Sequence, residues 1–331
     1  MTVRWTQVTE QDAAAWAGLC ARAEEVDKTG ENYDAEDLAE ELADPLVSLE
    51  HGTLAGWDGD VLVAVGVLRN RATANPVNRV YFDGVVDPAY RRQGLGRRLT
   101  EWAIETTPAV SRSRFPDAPM ELHASVHEHN TVKAGLLTES GFAPQRWFFT
   151  MQRPLDGELP EPVWPDGVRV EGFDHARHDL AALRVRNESF ADHWGSSPQD
   201  EESWRQWYTG TRAFVPELSY VALTGSGDEG DGADGEMVAF LLTQFFEADQ
   251  VVTGRREAWI STIGTLRAYR RRGLASALIA TCLRAAAAQG YDRAALGVDA
   301  DNPTGALGVY EAAGFTVDRR HVTYVREFPS R

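Results

Sequence analysis

The chain of 331 residues is 43% hydrophobic and 25% charged, and it carries a formal net charge of −17. That length exceeds what one hydrophobic core usually serves, so two domains are expected in a soluble globular protein. The negative charge excludes a general nucleic-acid-binding face, and with no long apolar run and no basic-then-apolar leader in Met1–Gln11, neither a membrane span nor a secretory signal is expected.

The hydrophobic pattern predicts a strand over Val3–Val8, helices over Asp12–Glu25 and Asp34–Leu42, and strands over Ser48–Trp57, Val61–Arg69 and Val80–Val86. A helix over Leu95–Thr107, a strand over Glu121–Val126, a helix over Thr131–Ser140 and a strand over Gln145–Gln152 follow. The proline- and acid-rich stretch from Arg153 to Gly167 is a linker, which divides the chain into domains at 1–153 and 167–331 with 154–166 between them. Beyond it the pattern predicts a strand over Val168–Glu171, helices over Ala176–Phe190 and Pro198–Thr209, and strands over Tyr220–Thr224, Met237–Phe246 and Trp259–Thr265. The run closes with an alanine- and leucine-rich helix over Leu274–Gln289, a strand over Ala294–Val298, a helix over Thr304–Ala313 and a strand over Val317–Glu327. Gly225–Glu236, built of small and acidic residues, is a flexible hairpin tip whose acids lack the spacing of a calcium loop. Each half is therefore mixed α/β, with both faces of a sheet covered. Cys20 and Cys282, one in each half, make no disulfide framework and fit a reducing cytoplasm.

The halves repeat one another. Val85-Val86-Asp87-Pro88-Ala89-Tyr90-Arg91-Arg92-Gln93-Gly94-Leu95-Gly96 and Gly264-Thr265-Leu266-Arg267-Ala268-Tyr269-Arg270-Arg271-Arg272-Gly273-Leu274-Ala275 share Ala-Tyr-Arg-Arg and the later Gly-Leu. Downstream, Asn130 leads a helical stretch to Gly141-Phe142, and Asn302 leads one to Gly314-Phe315. A repeat of this length marks duplicated domains. The clustered arginines, with Arg97-Arg98 beside the first turn, stand out in an acidic chain and indicate a small anionic ligand. Each turn opens a helix, whose unpaired N–H groups and positive dipole end suit phosphate, and its glycines let backbone approach closely. The order of residues matches neither a P-loop nor a dinucleotide fingerprint.

Arg91-x-x-Gly94-x-Gly96 and Arg270-x-x-Gly273-x-Ala275, each followed by the Asn–helix–Gly-Phe module, resemble the Arg/Gln-x-x-Gly-x-Gly/Ala motif of the GNAT acyltransferases. The resemblance covers nearly the whole chain, once per half. It implies two tandem GNAT folds with acetyl-CoA as co-substrate and no metal. It implies that the pyrophosphate sits on Gln93, Gly94, Leu95, Gly96, Arg97 and Arg98, or on Arg271, Arg272, Gly273, Leu274, Ala275 and Ser276. Arg91, Arg92 and Arg270 would add charge, and Asn302 joins the second set. The pantetheine would pair like an added strand with Val85 and Val86, or with Ile263, Gly264 and Thr265.

Acetyl transfer to an amine needs removal of an amine proton, stabilisation of an oxyanion and protonation of the leaving thiolate. The resemblance assigns the last task to a tyrosine four residues before Gly-Phe. That position holds Tyr310 in the second half and Leu137 in the first, so the second half is the expected catalyst and the first a degenerate partner that holds acetyl-CoA. Glu257 and Asp299 are the candidate bases, with Asp83 their counterpart in the first half. Asp192, His193 and Trp194, after the second half's first helix, are candidates for binding the acceptor, a small-molecule or peptide primary amine. The second half departs from the family in having Arg267 where Pro88 stands, and in one extra residue between Asn302 and Tyr310. His123, His127 and His129 alternate along a strand and read as ordinary surface rather than a metal site. The readings left beside an N-acetyltransferase, acting as monomer or homodimer, are a non-catalytic acyl-CoA-binding or interaction protein, and catalysis from the first half.

Overall fold

The computed structural model describes residues 2–225, 235–302 and 305–329. Its contacts divide the chain into two units, Met1–Phe148 with Arg320–Arg331, and Phe149–Arg319.

The first unit contains β1 (Arg4–Thr6), α1 (Ala13–Asp27), α2 (Ala35–Leu42), β2 (Thr53–Asp58), β3 (Val61–Arg69), β4 (Asn78–Val86), α3 (Leu95–Arg114), β5 (Met120–His127), α4 (Thr131–Glu139) and the start of β6 (Ala143–Pro154). β1 to β4 are antiparallel neighbours in order, and β5 lies parallel to β4. β3 is almost uninterruptedly apolar because both of its faces are buried. Leu62, Val65 and Val67 pack with α1 and α2, while Val63, Ala64 and Leu68 pack with α3.

The second unit continues with β7 (Val168–Gly172), α5 (His175–Ser189), α6 (Glu201–Trp204), β8 (Tyr220–Thr224), β9 (Glu236–Gln244), α7 (Glu247–Thr253), β10 (Glu257–Thr265), α8 (Leu274–Ala288), β11 (Arg293–Asp299), α9 (Ala306–Ala312) and the start of β12 (Thr316–Glu327). β7 to β10 are antiparallel neighbours in order, β11 is parallel to β10, and β6 flanks β11. The alternation of mixed sheet and covering helices expected of each half is what the chain forms.

The departures have physical causes. The contact division does not coincide with the expected boundaries at 153 and 167. The last strand completes the first unit's sheet, pairing antiparallel with β5 from His321↔His127 to Glu327↔Glu121, and the end of β6 belongs to the second unit. Hydrogen-bond partners of this kind leave no trace in local composition. β2 starts at Thr53, because Ser48–Gly52 closes a turn through Gly52 N–H to Ser48 O. α3 runs past Pro108 to Arg114, carried by the burial of Val110 and Ser111. The stretch expected to be helical from Pro198 is α6, N-capped by Asp200, with a π-helical turn at Arg205–Thr209. α7 was not expected from the pattern. Most of the Gly225–Glu236 tip, and Thr304 of the expected last helix, lie outside the described residues.

Candidate active site

In each unit the parallel strand pair opens. β4 and β5 pair from Asn78↔Met120 to Tyr81↔His123 and then part, while Val85 and Val86 stay bound to β3. β10 and β11 pair from Glu257↔Arg293 to Ile260↔Leu296 and then part, while Ile263, Gly264 and Thr265 stay bound to β9. Among the described residues the other edge of these segments has no strand partner, so an extended chain can add there.

A 3-10 turn then leads into each cradle, Pro88–Tyr90 in one unit and Arg267–Tyr269 in the other. The two backbones match: φ is 61° at both Arg92 and Arg271, 87° at Gly94 and 85° at Gly273. A side chain added at either glycine would meet nothing within 4 Å. The first bonds of the helical ladders run from Arg98 N–H to Gly94 O (3.0 Å) and from Ala277 N–H to Gly273 O (2.9 Å). The amides of Leu95, Gly96 and Arg97, and of Leu274, Ala275 and Ser276, therefore stand ahead of the ladder at the positive end of the helix dipole, beside the open space at Gly94 and Gly273. That is the fit a pyrophosphate requires.

The arginines divide by task. Arg91 sets both terminal nitrogens on the Asp27 carboxylate (2.7 and 2.6 Å) and its Nε on Val86 O (3.1 Å). Arg270 donates to Thr265 O (3.3 Å) and Ser189 O (2.8 Å). Both brace the turn against the end of the unit's first helix. Arg97 pairs with Glu139 (2.8 Å), Arg98 lies over the Trp5 ring and Arg272 over the Tyr269 ring. Gln93 donates to Ala89 O (3.4 Å).

Two features distinguish the second unit. The β3–β4 register is unbroken, whereas β9–β10 shifts between Ile260 and Thr262, a bulge at Ser261 that re-aims the backbone beside the opening. Beneath it, a Cβ on Gly264 would run into the Phe240 ring and lie 2.9 Å from Ser189 Oγ. Gly264→Ala should accordingly cost about 1–3 kcal/mol of stability by overpacking. Chemical denaturation measures this, and an unchanged midpoint would show that the ring yields freely.

The Gly-Phe modules end alike. In α4, Phe142 N–H reaches Leu137 O (3.0 Å) and Gly141 N–H reaches Thr138 O (3.0 Å). In α9, Phe315 N–H reaches Tyr310 O (3.0 Å) and Gly314 N–H reaches Glu311 O (2.9 Å). These are Schellman ends with glycine at φ 82° and 86°, and they set Leu137 and Tyr310 at one equivalent position. Leu137 is core. Tyr310 packs edge-on against Phe315, its hydroxyl makes no hydrogen bond among the described residues, and burial pushes its pKa up to about 12. The helix starts differ: Asn130 Oδ1 caps α4 on Lys133 N–H (3.0 Å), whereas α9 begins after Gly305 and Asn302 lies in the loop before it.

On the acceptor side, Asp192 pairs with Arg267, the departure from the family pattern, which fastens the loop after α5 to the cofactor turn. His193 lies against Phe190, with ring centroids 4.5 Å apart and the planes tilted by 53°. Burial first, then Arg270, lowers its pKa, against the opposing pull of Asp299 and Asp192, so the ring favours its neutral form. Asp299, at the parted end of β11, accepts from Asp301 N–H (3.0 Å). Asp192, His193, Arg267, Arg270 and Asp299 are thus gathered around one opening. Glu257 is not with them: it starts β10, roughly 25 Å along the strand from Thr265, and pairs with Arg293. Burial raises its pKa. In the first unit Asp83 lies 3.8 Å from Arg69. His123 is not surface but fully buried, bonded to Glu121 (2.8 Å), because β5 is covered on both flanks by β4 and β12. His129 bonds to Asp27 O (2.6 Å). Among the described residues no group of three or more His, Cys, Asp or Glu could hold a metal ion. No described helix is long and apolar enough to cross a membrane.

Known proteins agree with this geometry. The mycothiol acetyltransferase of Tsukamurella paurometabola is 31% identical over 247 residues, 73% of this chain and 76% of its own length. That of Frankia alni is 34% identical over 251 residues, 72% of this chain and 68% of its own length. The solved GCN5-related N-acetyltransferase of Sphaerobacter thermophilus aligns with a TM-score of 0.72 at 25% identity, covering 99% of this chain and 97% of that one. A tandem GNAT protein from the clavulanic acid biosynthesis pathway shares the fold end to end, with a TM-score of 0.70 at 18% identity. The acetyltransferase (GNAT) family model matches twice, at residues 16–142 and 180–315. With two cradles, two Gly-Phe modules and two family matches in register, the chain belongs to the GNAT acetyltransferases and is a tandem member resembling the mycothiol acetyltransferases.

Proposed function

We propose that the second unit transfers the acetyl group of acetyl-CoA to the primary amine of a small molecule or peptide, and that Tyr310 protonates the departing thiolate. The observation that carries this reading is the equivalence of Tyr310 and Leu137 at two matching helix ends: only one of them has a proton to give. Bound acetyl-CoA supplies an acyl group activated as a thioester. The amides of Leu274, Ala275 and Ser276 hold its pyrophosphate, and Ile263–Thr265 align its arm. The register shift takes Ser261 out of the β9–β10 ladder, and its backbone N–H is the donor assigned to the developing oxyanion. The Tyr310 hydroxyl, with its pKa raised to about 12, keeps its proton until a thiolate forms beside it. Neutral His193, with Asp299 near it, supports acceptance of the amine proton, and the carboxylates of Asp192 and Asp299 favour a cationic acceptor. The first unit has the cradle without the acid, and holds acetyl-CoA without turning it over.

The test is release of CoA thiol in an amine panel headed by a mycothiol-type acceptor, the choice suggested by the similarity to mycothiol acetyltransferases. Amine-dependent release is expected, and it should persist in Leu137→Ala for the folded fraction. Release that no amine accelerates would defeat this reading.

A further inference from the structure

At the Schellman ends of α4 and α9 the carbonyls of Ser140 and Ala313 lie outside the helical ladder, and in both cases an arginine donates to the carbonyl. Arg326, on β12, donates to Ser140 O, and Arg153, on β6, donates to Ala313 O. Each guanidinium lies where a Cβ on the neighbouring glycine would stand, Gly141 for Arg326 and Gly314 for Arg153. The glycine of each module therefore serves twice: it adopts positive φ, and it leaves room for the arginine. Arg153 also donates to Glu158 O, so its guanidinium bridges the helix end and the segment after β6. In chain order the arrangement is crossed. The helix of the second half is capped by an arginine from the end of the first, and the helix of the first half by one from the end of the second.

From this geometry we infer that Arg153 is a positioning residue for acetyl transfer in the second unit. The inference rests on the reading of Tyr310 given above. α9 has only seven residues, too few to be stable unaided. A cation at its C-terminus satisfies the last carbonyl and opposes the dipole. Tyr310 is the residue whose own carbonyl closes that same turn. When the cap is lost the turn frays, and the hydroxyl leaves the place where the thiolate forms. Arginine suits the task because its planar fork reaches two carbonyls at once.

A double-mutant cycle tests the inference on the full-length enzyme. Arg153→Ala is expected to lower kcat roughly tenfold or more, a misplacement effect, while the KM for acetyl-CoA changes less than about twofold. In a Tyr310→Phe background, which has no hydroxyl to misplace, Arg153→Ala should change kcat by less than about twofold. Arg326→Ala removes the same kind of cap from α4 and should leave kcat within about twofold. If Arg153→Ala is too unstable to assay, Arg153→Lys carries the same test, since an ammonium reaches one carbonyl but not both. Equal losses of kcat from Arg153→Ala in both backgrounds, or no loss in either, would overturn the inference and leave the role of Tyr310 standing. Undiminished kcat in Tyr310→Phe alone would remove that role, and the inference with it.

Discussion

Tyr310→Phe should reduce kcat by roughly a hundredfold, the usual contribution of a general acid, and should leave acetyl-CoA affinity unchanged. The ring that packs on Phe315 is retained and only the hydroxyl is lost. An acid that acts on the leaving group stabilises the transition state alone, so the loss falls on kcat. The pH dependence sharpens the expectation. Burial raises the pKa of Tyr310 to about 12, so the group is protonated throughout the ordinary assay range. The deficit should then be the same at neutral and moderately alkaline pH, with no descending limb that disappears in the variant. A raised pKa also means that the folded state resists ionisation more than the unfolded chain. The tyrosine's contribution to stability is full below the ordinary value of 10 and is lost as pH climbs through the folded value. Full kcat in Tyr310→Phe, with chemistry shown to limit the rate, would return the choice of active unit to the first half and Asp83.

Gly273→Glu should abolish acetyl-CoA binding in the second unit. The space beside Gly273 is open, so no clash with protein opposes the side chain. Two other effects act. At φ 85° any Cβ is strained by about 1–2 kcal/mol, and the carboxylate enters the space in front of the amides that receive the pyrophosphate. Charge-assisted hydrogen bonds are worth about 1.5–3 kcal/mol each, so losing two costs roughly a hundredfold or more in affinity. Gly273→Ala reports the backbone strain by itself and should bind far better than the glutamate variant. Titration calorimetry with the first cradle disabled by Gly94→Glu is the measurement. Unchanged affinity in that double variant would show that the cradle is not where the phosphates sit.

The parts of the site legible in the sequence are those whose chemistry is local. Gly94 and Gly273 are spaced from their arginines by the turn they build, and Tyr310 and Leu137 by the helix end that Gly-Phe closes. Both patterns span about a dozen residues. What could not be read joins distant segments. Asp192 stands out in the sequence as an acceptor ligand and Arg267 as a departure from the family, but nothing in their order announces that they meet. Arg91 and Arg270 look like phosphate ligands until Asp27 and Ser189 are seen to occupy them. Glu257 reads as a candidate base from its place just before the expected strand, yet eight residues of extended chain separate it from the opening. His123 looked like surface because its alternation with His127 and His129 was visible and the strand that buries it was not.

That strand has a consequence for how the protein is made. β5 pairs with β12 through Glu121↔Glu327, a separation of 206 residues in the chain. A ribosome that has finished β1 to β5 has therefore produced a sheet with an open edge, and nearly the whole second unit must follow before the strand that covers it emerges. Vectorial synthesis would normally let an N-terminal domain fold first. Here the first unit, though made ahead of the second, is completed only after most of it, and for that interval β5 presents unpaired backbone to any strand within reach.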